Sequence, residues 1–293
     1  MTMRERFYEL AREALRNDDR VAVVTAEIGT ASIGPHPRHF NVGIREQLMI
    51  GVTAGLALEG YRAVAHSYTP FLVERPYEQI KLDLGHQDVG AVLVSTGASY
   101  DAARAGRTHQ APEDVAALAA LPGWTIHVPG HPDEAERLFV RALRTDDRVY
   151  IRLSEEENAE RVDGDGIIVV RRGDEDAAVV LAVGPTLGET LAATADLPVT
   201  VAYTATARPF DAQGLCAAVG SARDVVLVEP YLAGTSAGEV TSALFDRGAH
   251  RLLTLGVTLG ELRRYGTPAE HRAAHGLDAA GIRASLERLA VAA

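Results

Sequence analysis

Cysteine is nearly absent: Cys216 stands alone among 293 residues, which excludes an intrachain disulfide and a cysteine-based metal site. Basic runs are missing too, and with a formal net charge of -11 the chain has no electrostatic footprint for nucleic acid. No apolar stretch approaches the ~20 residues needed to span a bilayer. The N-terminus, Met1-Thr2-Met3-Arg4-Glu5-Arg6, leads into an amphipathic pattern rather than a signal peptide. A cytoplasmic location is therefore the default expectation. What is present is ordinary for a globular protein, 47% hydrophobic and 24% charged residues, in a length that suits two domains, each able to bury a core.

Short apolar runs alternate with helical periodicity along the chain. Phe7, Leu10, Ala11, Ala14 and Leu15 have helical spacing. Strands are expected at Val21 to Thr25, Arg62 to Ala65, Ala91 to Val94, Thr125 to Val128 and Val149 to Leu153. Between them, helices are expected from Glu46 through Leu58, from Pro76 through Leu84, from Glu113 to Leu121 and from Pro132 through Leu143. From Ser154 the pattern lapses into an acidic, Gly-containing stretch ending in Gly164-Asp165-Gly166, which reads as a connection. A second block places strands near 178–183, 199–203, 225–228 and 252–255, and a last helix from about Ala279 to Leu289. The alternation predicts an α/β protein of two domains, each a mainly parallel sheet flanked by helices, over 1–157 and 173–293 with a linker at 158–172.

The segment Asn41-Val42-Gly43-Ile44-Arg45-Glu46-Gln47-Leu48 puts one carboxylate at the start of a small-residue helix. Alone, such an acid can simply answer the helix dipole. Downstream lie His66-Ser67-Tyr68-Thr69-Pro70-Phe71, then Tyr77, then Gly106-Arg107-Thr108-His109-Gln110. In this order the segments resemble the C-terminal part of transketolases and deoxyxylulose-phosphate synthases, most closely the separate small subunit of a split transketolase. The resemblance is strongest from Arg38 to Val140, and after residue 170 Gly276-Leu277-Asp278-Ala279-Ala280-Gly281-Ile282 is its clearest match.

That resemblance implies a pyrimidine-binding domain followed by a transketolase C-terminal domain, and thiamine diphosphate as cofactor. It implies that Glu46 holds the pyrimidine ring nitrogen, where a buried, partly protonated acid makes the cofactor's amino group a better base. A flat ring needs flat apolar walls, and Phe71, Tyr77 and Tyr68 are the candidates; as helix-face residues Phe71 and Tyr77 would instead be core. Glu27, after the first strand, stands where an acid faces the cationic thiazolium, or is merely a loop acid. His109 matches the family's substrate-facing histidine. His66 is a second candidate for proton relay, although a lone histidine is often only structural.

The departures are informative. Glu74 replaces the middle aromatic of the family's Phe-x-x-Phe-x-x-Tyr run. Arg104-Ala105-Gly106-Arg107 replaces the acid that contacts a substrate hydroxyl, and Glu155 stands where an arginine often takes substrate phosphate. Arg104, Arg107 and Arg152 remain as possible anion-binding groups. The diphosphate half of the family carries Gly-Asp-Gly followed by Asn-Asn, but the asparagines here are Asn17, Asn41 and Asn158, so Gly164-Asp165-Gly166 reads as a turn. The resemblance thus implies a partner chain that binds the diphosphate with Mg2+ or Ca2+, an α2β2 assembly, and transfer of a two-carbon ketol unit between sugars or sugar phosphates. A synthase-like enzyme, a 2-oxo-acid dehydrogenase beta-like subunit and a non-catalytic scaffold are the alternatives.

Overall fold

Runs of β-branched residues build the sheets. Val21–Thr25, Val92–Thr96, Val179–Val183 and Thr200–Thr204 are buried at every position, the signature of parallel strands covered on both faces. The computed structural model describes residues 1–260 and 265–291. The first block comprises α1 (Met3–Asn17), β1 (Val21–Thr25), α2 (Thr30–Ile33), β2 (His39–Asn41), α3 (Glu46–Leu58), β3 (Arg62–Tyr68), α4 (Tyr77–Gln79), β4 (Val92–Thr96), α5 (Asp114–Ala119), β5 (Trp124–His127), α6 (Pro132–Ala142) and β6 (Arg148–Arg152). The second comprises β7 (Ile168–Arg171), β8 (Val179–Val183), α7 (Leu187–Ala193), β9 (Thr200–Thr204), β10 (Thr206–Arg208), α8 (Ala212–Val219), β11 (Asp224–Leu232), α9 (Ala237–Ala243), β12 (Arg251–Val257), α10 (Pro268–Ala274) and α11 (Ala279–Val291).

The strands form two mainly parallel sheets, in the orders β10-β5-β6-β4-β3-β1-β2 and β12-β11-β8-β9-β7. Every strand expected from the sequence is present. Three short ones were not expected. β2 is a three-residue edge; β7 lies within the stretch read as linker and pairs antiparallel with β9; β10 follows β9 yet pairs antiparallel with β5 of the other sheet. Residues 153–167 carry no helix or strand, and Asp165 of the Gly-Asp-Gly turn accepts hydrogen bonds from Arg137 and Arg141 of α6.

Alternate residues of each strand face opposite layers. Val21 and Val23 of β1 pack with Phe7, Leu15 and Phe139 of α1 and α6, while Val24 packs with Met49, Ile50 and Ala54 of α3. Full burial of one such Leu or Ile stabilises the fold by about 1.5–3 kcal/mol. The α3-side core continues without a break through Trp124 and Ile126 to Leu181 and Leu227 of the second sheet and Leu215 of α8. The helix expected to open at Pro76 opens instead at Pro70. It runs as π-helical turns at Pro70–Glu74 and Ile80–His86 around the single α turn of α4. Pro76 has no N–H to donate, and wide bonds such as Arg75 N to Pro70 O, 3.0 Å, carry the backbone past it.

The chain leaves β1 toward β2 on one side and leaves β3 toward β4 on the other. The carboxyl ends of β1 and β3 therefore flank the kind of switch-point crevice in which open α/β sheets bind ligands.

Candidate functional site

The segments at that crevice are the ones that carry the unusual residues. Glu27 follows β1, Tyr68 closes β3, Phe71 follows it, and β2 leads through Asn41 to Glu46 at the first turn of α3. Glu46 is only 2% exposed, far more enclosed than a helix-capping acid needs to be. Its Oε2 accepts a 2.8 Å hydrogen bond from Arg75 Nη1. The Arg75 guanidinium carbon lies 4.2 Å from the centre of the Phe71 ring. Phe71 in turn meets His109 edge-on at 5.0 Å, and Tyr68 approaches both, at 6.3 and 5.7 Å. Glu46, Arg75, Phe71, His109 and Tyr68 thus form one contiguous array.

Backbone geometry fixes its members. Gly97 has φ +70°, and a Cβ there would sit 2.5 Å from Tyr68 Cδ1, so only glycine leaves room for that ring. Gly106, at φ +73°, starts the turn that presents His109, whose Nδ1 lies 2.9 Å from Thr108 Oγ1. Glu27 adopts φ +65° without being glycine. Asn41 holds it there: its Oδ1 accepts from Glu27 N at 3.0 Å and its Nδ2 donates to Glu27 Oε1 at 3.1 Å. Backbone strain held this way clusters at ligand sites.

Three expected residues are elsewhere. His66 is fully buried beneath α1, with Nδ1 on Val94 O at 2.8 Å and Nε2 3.3 Å from Tyr8 OH. Burial pushes its pKa down to about 3, partly opposed by the Val94 carbonyl, so it is a neutral core imidazole and not a substrate-facing relay. Arg152 is 1% exposed. Its Nε donates to Asp114 Oδ2 at 2.7 Å and its Nη2 to Ser99 Oγ at 2.6 Å, while the guanidinium lies over Tyr231. It joins the two sheets and is sealed from any substrate. Tyr77 is half-buried and donates its hydroxyl to Ala117 O at 2.9 Å, so it ties α4 to α5 rather than walling the crevice. Of the surface arginines, Arg107 is engaged with Gln110 O and Glu113 Oε1, and Arg104 is exposed on the neighbouring turn. Desolvation, with Glu113 adding to it, pushes the Glu74 carboxyl up to about 7.

Two residues at the array were not expected. Arg75 carried a faint signal, four residues after Phe71 in a helical stretch, where a cation can cover a ring. Arg4 carried none. It projects from α1, donates to Tyr8 OH at 2.8 Å and Tyr68 OH at 3.4 Å, and lies 5.5 Å from the centre of each ring. The arrangement combines a buried carboxylate, an aromatic face and an accessible imidazole, which suits a planar nitrogen heterocycle next to a hydroxylated substrate. Among the described residues no group of three or more His, Cys, Asp or Glu could hold a metal ion.

Residues 1–160 match the family model described as transketolase, pyrimidine binding domain. The chain belongs to the transketolase family. A protein described as an uncharacterized 33.6 kDa protein in the fasciation locus of Rhodococcoides fascians is 52% identical, over 93% of this chain and 90% of its own. An apulose-4-phosphate transketolase subunit of Actinobacillus succinogenes is 31% identical, over 96% of this chain and 94% of its own. A solved structure described as a split gene transketolase, inactive beta4 tetramer, superposes with a TM-score of 0.82 at 22% identity, over 98% of this chain and 97% of its own. This transketolase-family chain is therefore matched end to end by whole subunits of split enzymes, and the alternating α/β architecture is theirs. No described helix is long and apolar enough to cross a membrane.

Proposed function

We propose that this chain is the C-terminal subunit of a split, thiamine diphosphate-dependent transketolase, which moves a two-carbon ketol unit from a ketose to an aldehyde together with a diphosphate-binding partner. The observation that carries the reading is the enclosed Glu46 carboxylate beside the Phe71 face, at the switch-point crevice of a transketolase pyrimidine-binding domain. The residues present fit an aminopyrimidine: a planar nitrogen cation, the Arg75 guanidinium, already rests on the same acid and the same ring.

When bound, the cofactor supplies the electron sink for breaking and making the carbon–carbon bond. Glu46 would hold the ring nitrogen through a hydrogen bond at its carboxyl oxygen. Phe71 supplies the flat wall. Glu27, set by Asn41 at the end of β1, would offer negative charge to the cofactor's cationic ring. His109, with Nδ1 held by Thr108, keeps Nε2 for a sugar hydroxyl or carbonyl oxygen. Arg104 and Arg107, exposed on the turns before His109, would meet an anionic substrate group, with Arg4 beside Tyr68 as a further cation near the array. The name of the Actinobacillus relative supports a sugar phosphate as the substrate class.

The naming of the Actinobacillus relative as a subunit supports a second chain that brings the diphosphate site with its Mg2+ or Ca2+. Ile44 just before α3, and Leu48 and Leu58 along it, are exposed apolar side chains, a surface suited to that chain in an α2β2 assembly. The solved split gene transketolase described as an inactive tetramer supports a chain that is idle until its partner joins. A cytoplasmic setting belongs to the same reading.

Glu46→Gln in the reconstituted two-chain enzyme is expected to lower kcat by at least ~10²-fold, the low end of positioned proton transfer. An unchanged kcat would remove the acid from the chemistry and favour a non-catalytic scaffold.

A further inference from the structure

We propose that Arg75 is a resident stand-in for the cofactor's aminopyrimidine, and that its displacement sets the affinity of this chain for thiamine diphosphate. The inference rests on the reading of the crevice as the pyrimidine site.

A guanidinium is a planar, delocalised N–C–N cation that donates in its plane and stacks by its face. An aminopyrimidine bound through a ring nitrogen to a carboxylate uses the same two properties. Arg75 uses both at once: Nη1 donates to Glu46 Oε2 at 2.8 Å, and Cζ lies 4.2 Å from the Phe71 ring centre. Both partners are those assigned to the cofactor, so the two occupants exclude one another. Arg75 covers the Phe71 face and one oxygen of a carboxylate only 2% exposed, so a second flat group reaching the same acid and ring has to move it.

The local structure makes the arginine removable. Its side chain is 39% exposed, against 2% for Glu46, so it sits at the mouth and can swing into water. Its backbone is held separately. Arg75 N closes the π turn onto Pro70 O, Arg75 O accepts from Gln47 Nε2 at 3.3 Å, and Pro76 fixes the next residue. The side chain can therefore leave without unwinding the segment that carries Phe71. With the cofactor absent, Arg75 gives the enclosed carboxylate a charged partner. With the cofactor arriving, only the fraction of molecules whose Arg75 has left is competent to bind.

The test titrates two preparations by calorimetry. The chain alone receives thiamine, which contains the aminopyrimidine without the diphosphate. The chain reconstituted with a diphosphate-binding partner receives thiamine diphosphate. Arg75→Ala is expected to tighten both dissociation constants by about tenfold, as for a competent fraction near one in ten, with Arg75→Lys intermediate because its ammonium pairs but does not stack. The melting temperature of the cofactor-free Arg75→Ala chain is expected to fall by about 2–4 °C, since Glu46 loses its partner. Unchanged or weaker binding by Arg75→Ala overturns the inference, the latter making Arg75 a ligand. Glu46→Gln is the control. If it binds as tightly as wild type, the pyrimidine-site reading itself fails; if it binds more weakly while Arg75→Ala does not tighten, only the stand-in fails.

Discussion

At 0% exposure, with Phe7 packed on its ring at 4.7 Å and Tyr8 at 5.4 Å, His66 has no water to share a charge with. The Val94 carbonyl can only accept, so Nδ1 carries the proton and Nε2 receives the Tyr8 hydroxyl. Its folded pKa of about 3 lies below the ordinary 6.5, so between those values the unfolded chain binds a proton that the folded chain refuses. Stability from this residue is complete above pH ~6.5 and falls by about 1.4 kcal/mol for each unit below it. Urea unfolding of wild type and His66→Gln at pH 7 and pH 5 isolates the effect, because Asp101 and Glu229, raised to about 8 and about 7 by burial, are common to both proteins. Wild type should lose about 2 kcal/mol more than the variant over that interval; equal losses would mean that His66 is solvated. Glu46 makes the complementary case. Its position at a helix start was legible, but whether it merely faced the dipole or was enclosed depended on Arg75 and Phe71, and no local pattern encodes that.

Among elements, α3 was readable to its ends because Glu46 through Leu58 is a run of mostly small and apolar residues with an acid in its first turn and no proline. The segment from Pro70 to His86 was not. Its proline invited a helix start at Pro76, whereas the backbone begins to turn at Pro70 and widens to pass the missing N–H. That widening brings Phe71 and Arg75 to the crevice together. β2 and β10 escaped notice because three residues carry no periodicity, and β10 pairs with β5, a strand distant in sequence. The loop after β4 is set as tightly as any strand. Gly97→Ala combines φ +70° with a Cβ 2.5 Å from the Tyr68 ring, so it should cost about 1–3 kcal/mol of stability and displace that ring. Thermal unfolding, with tyrosine-to-histidine contacts followed by NMR, would check it; a variant as stable as wild type with Tyr68 in place would contradict the stated clash.

For the molecule as a whole, the joint between the sheets is ionic as well as apolar. Arg152 on β6 and Asp114 on α5 are both buried, Tyr150 donates to the same Asp114 oxygen at 2.6 Å, and Tyr231 of β11 covers the guanidinium. Backbone bonds reinforce it, Val128 N to Ala205 O and Leu232 N to Pro112 O, each 2.8 Å. Removing one member leaves an uncompensated buried charge, so Arg152→Met should destabilise by about 3–5 kcal/mol. The double variant with Asp114→Leu should recover much of that loss, because both charges are then gone. Equilibrium denaturation of wild type and the two variants measures it, and a single variant within about 0.5 kcal/mol of wild type would show that Arg152 behaves as a surface group.

The alternation of the main strands and helices and the α/β class were legible in the sequence alone, and Glu46, Phe71 and His109 stood out there as candidates, since periodicity and short motifs are local properties of the chain. Which groups share the crevice was decided only by the fold. His66 and Arg152 went inward, Tyr77 turned to Ala117, and Arg75 and Arg4 came forward, because burial and contact depend on strand order and on a proline-widened helix. Residues far apart along the chain meet only where those two features bring them.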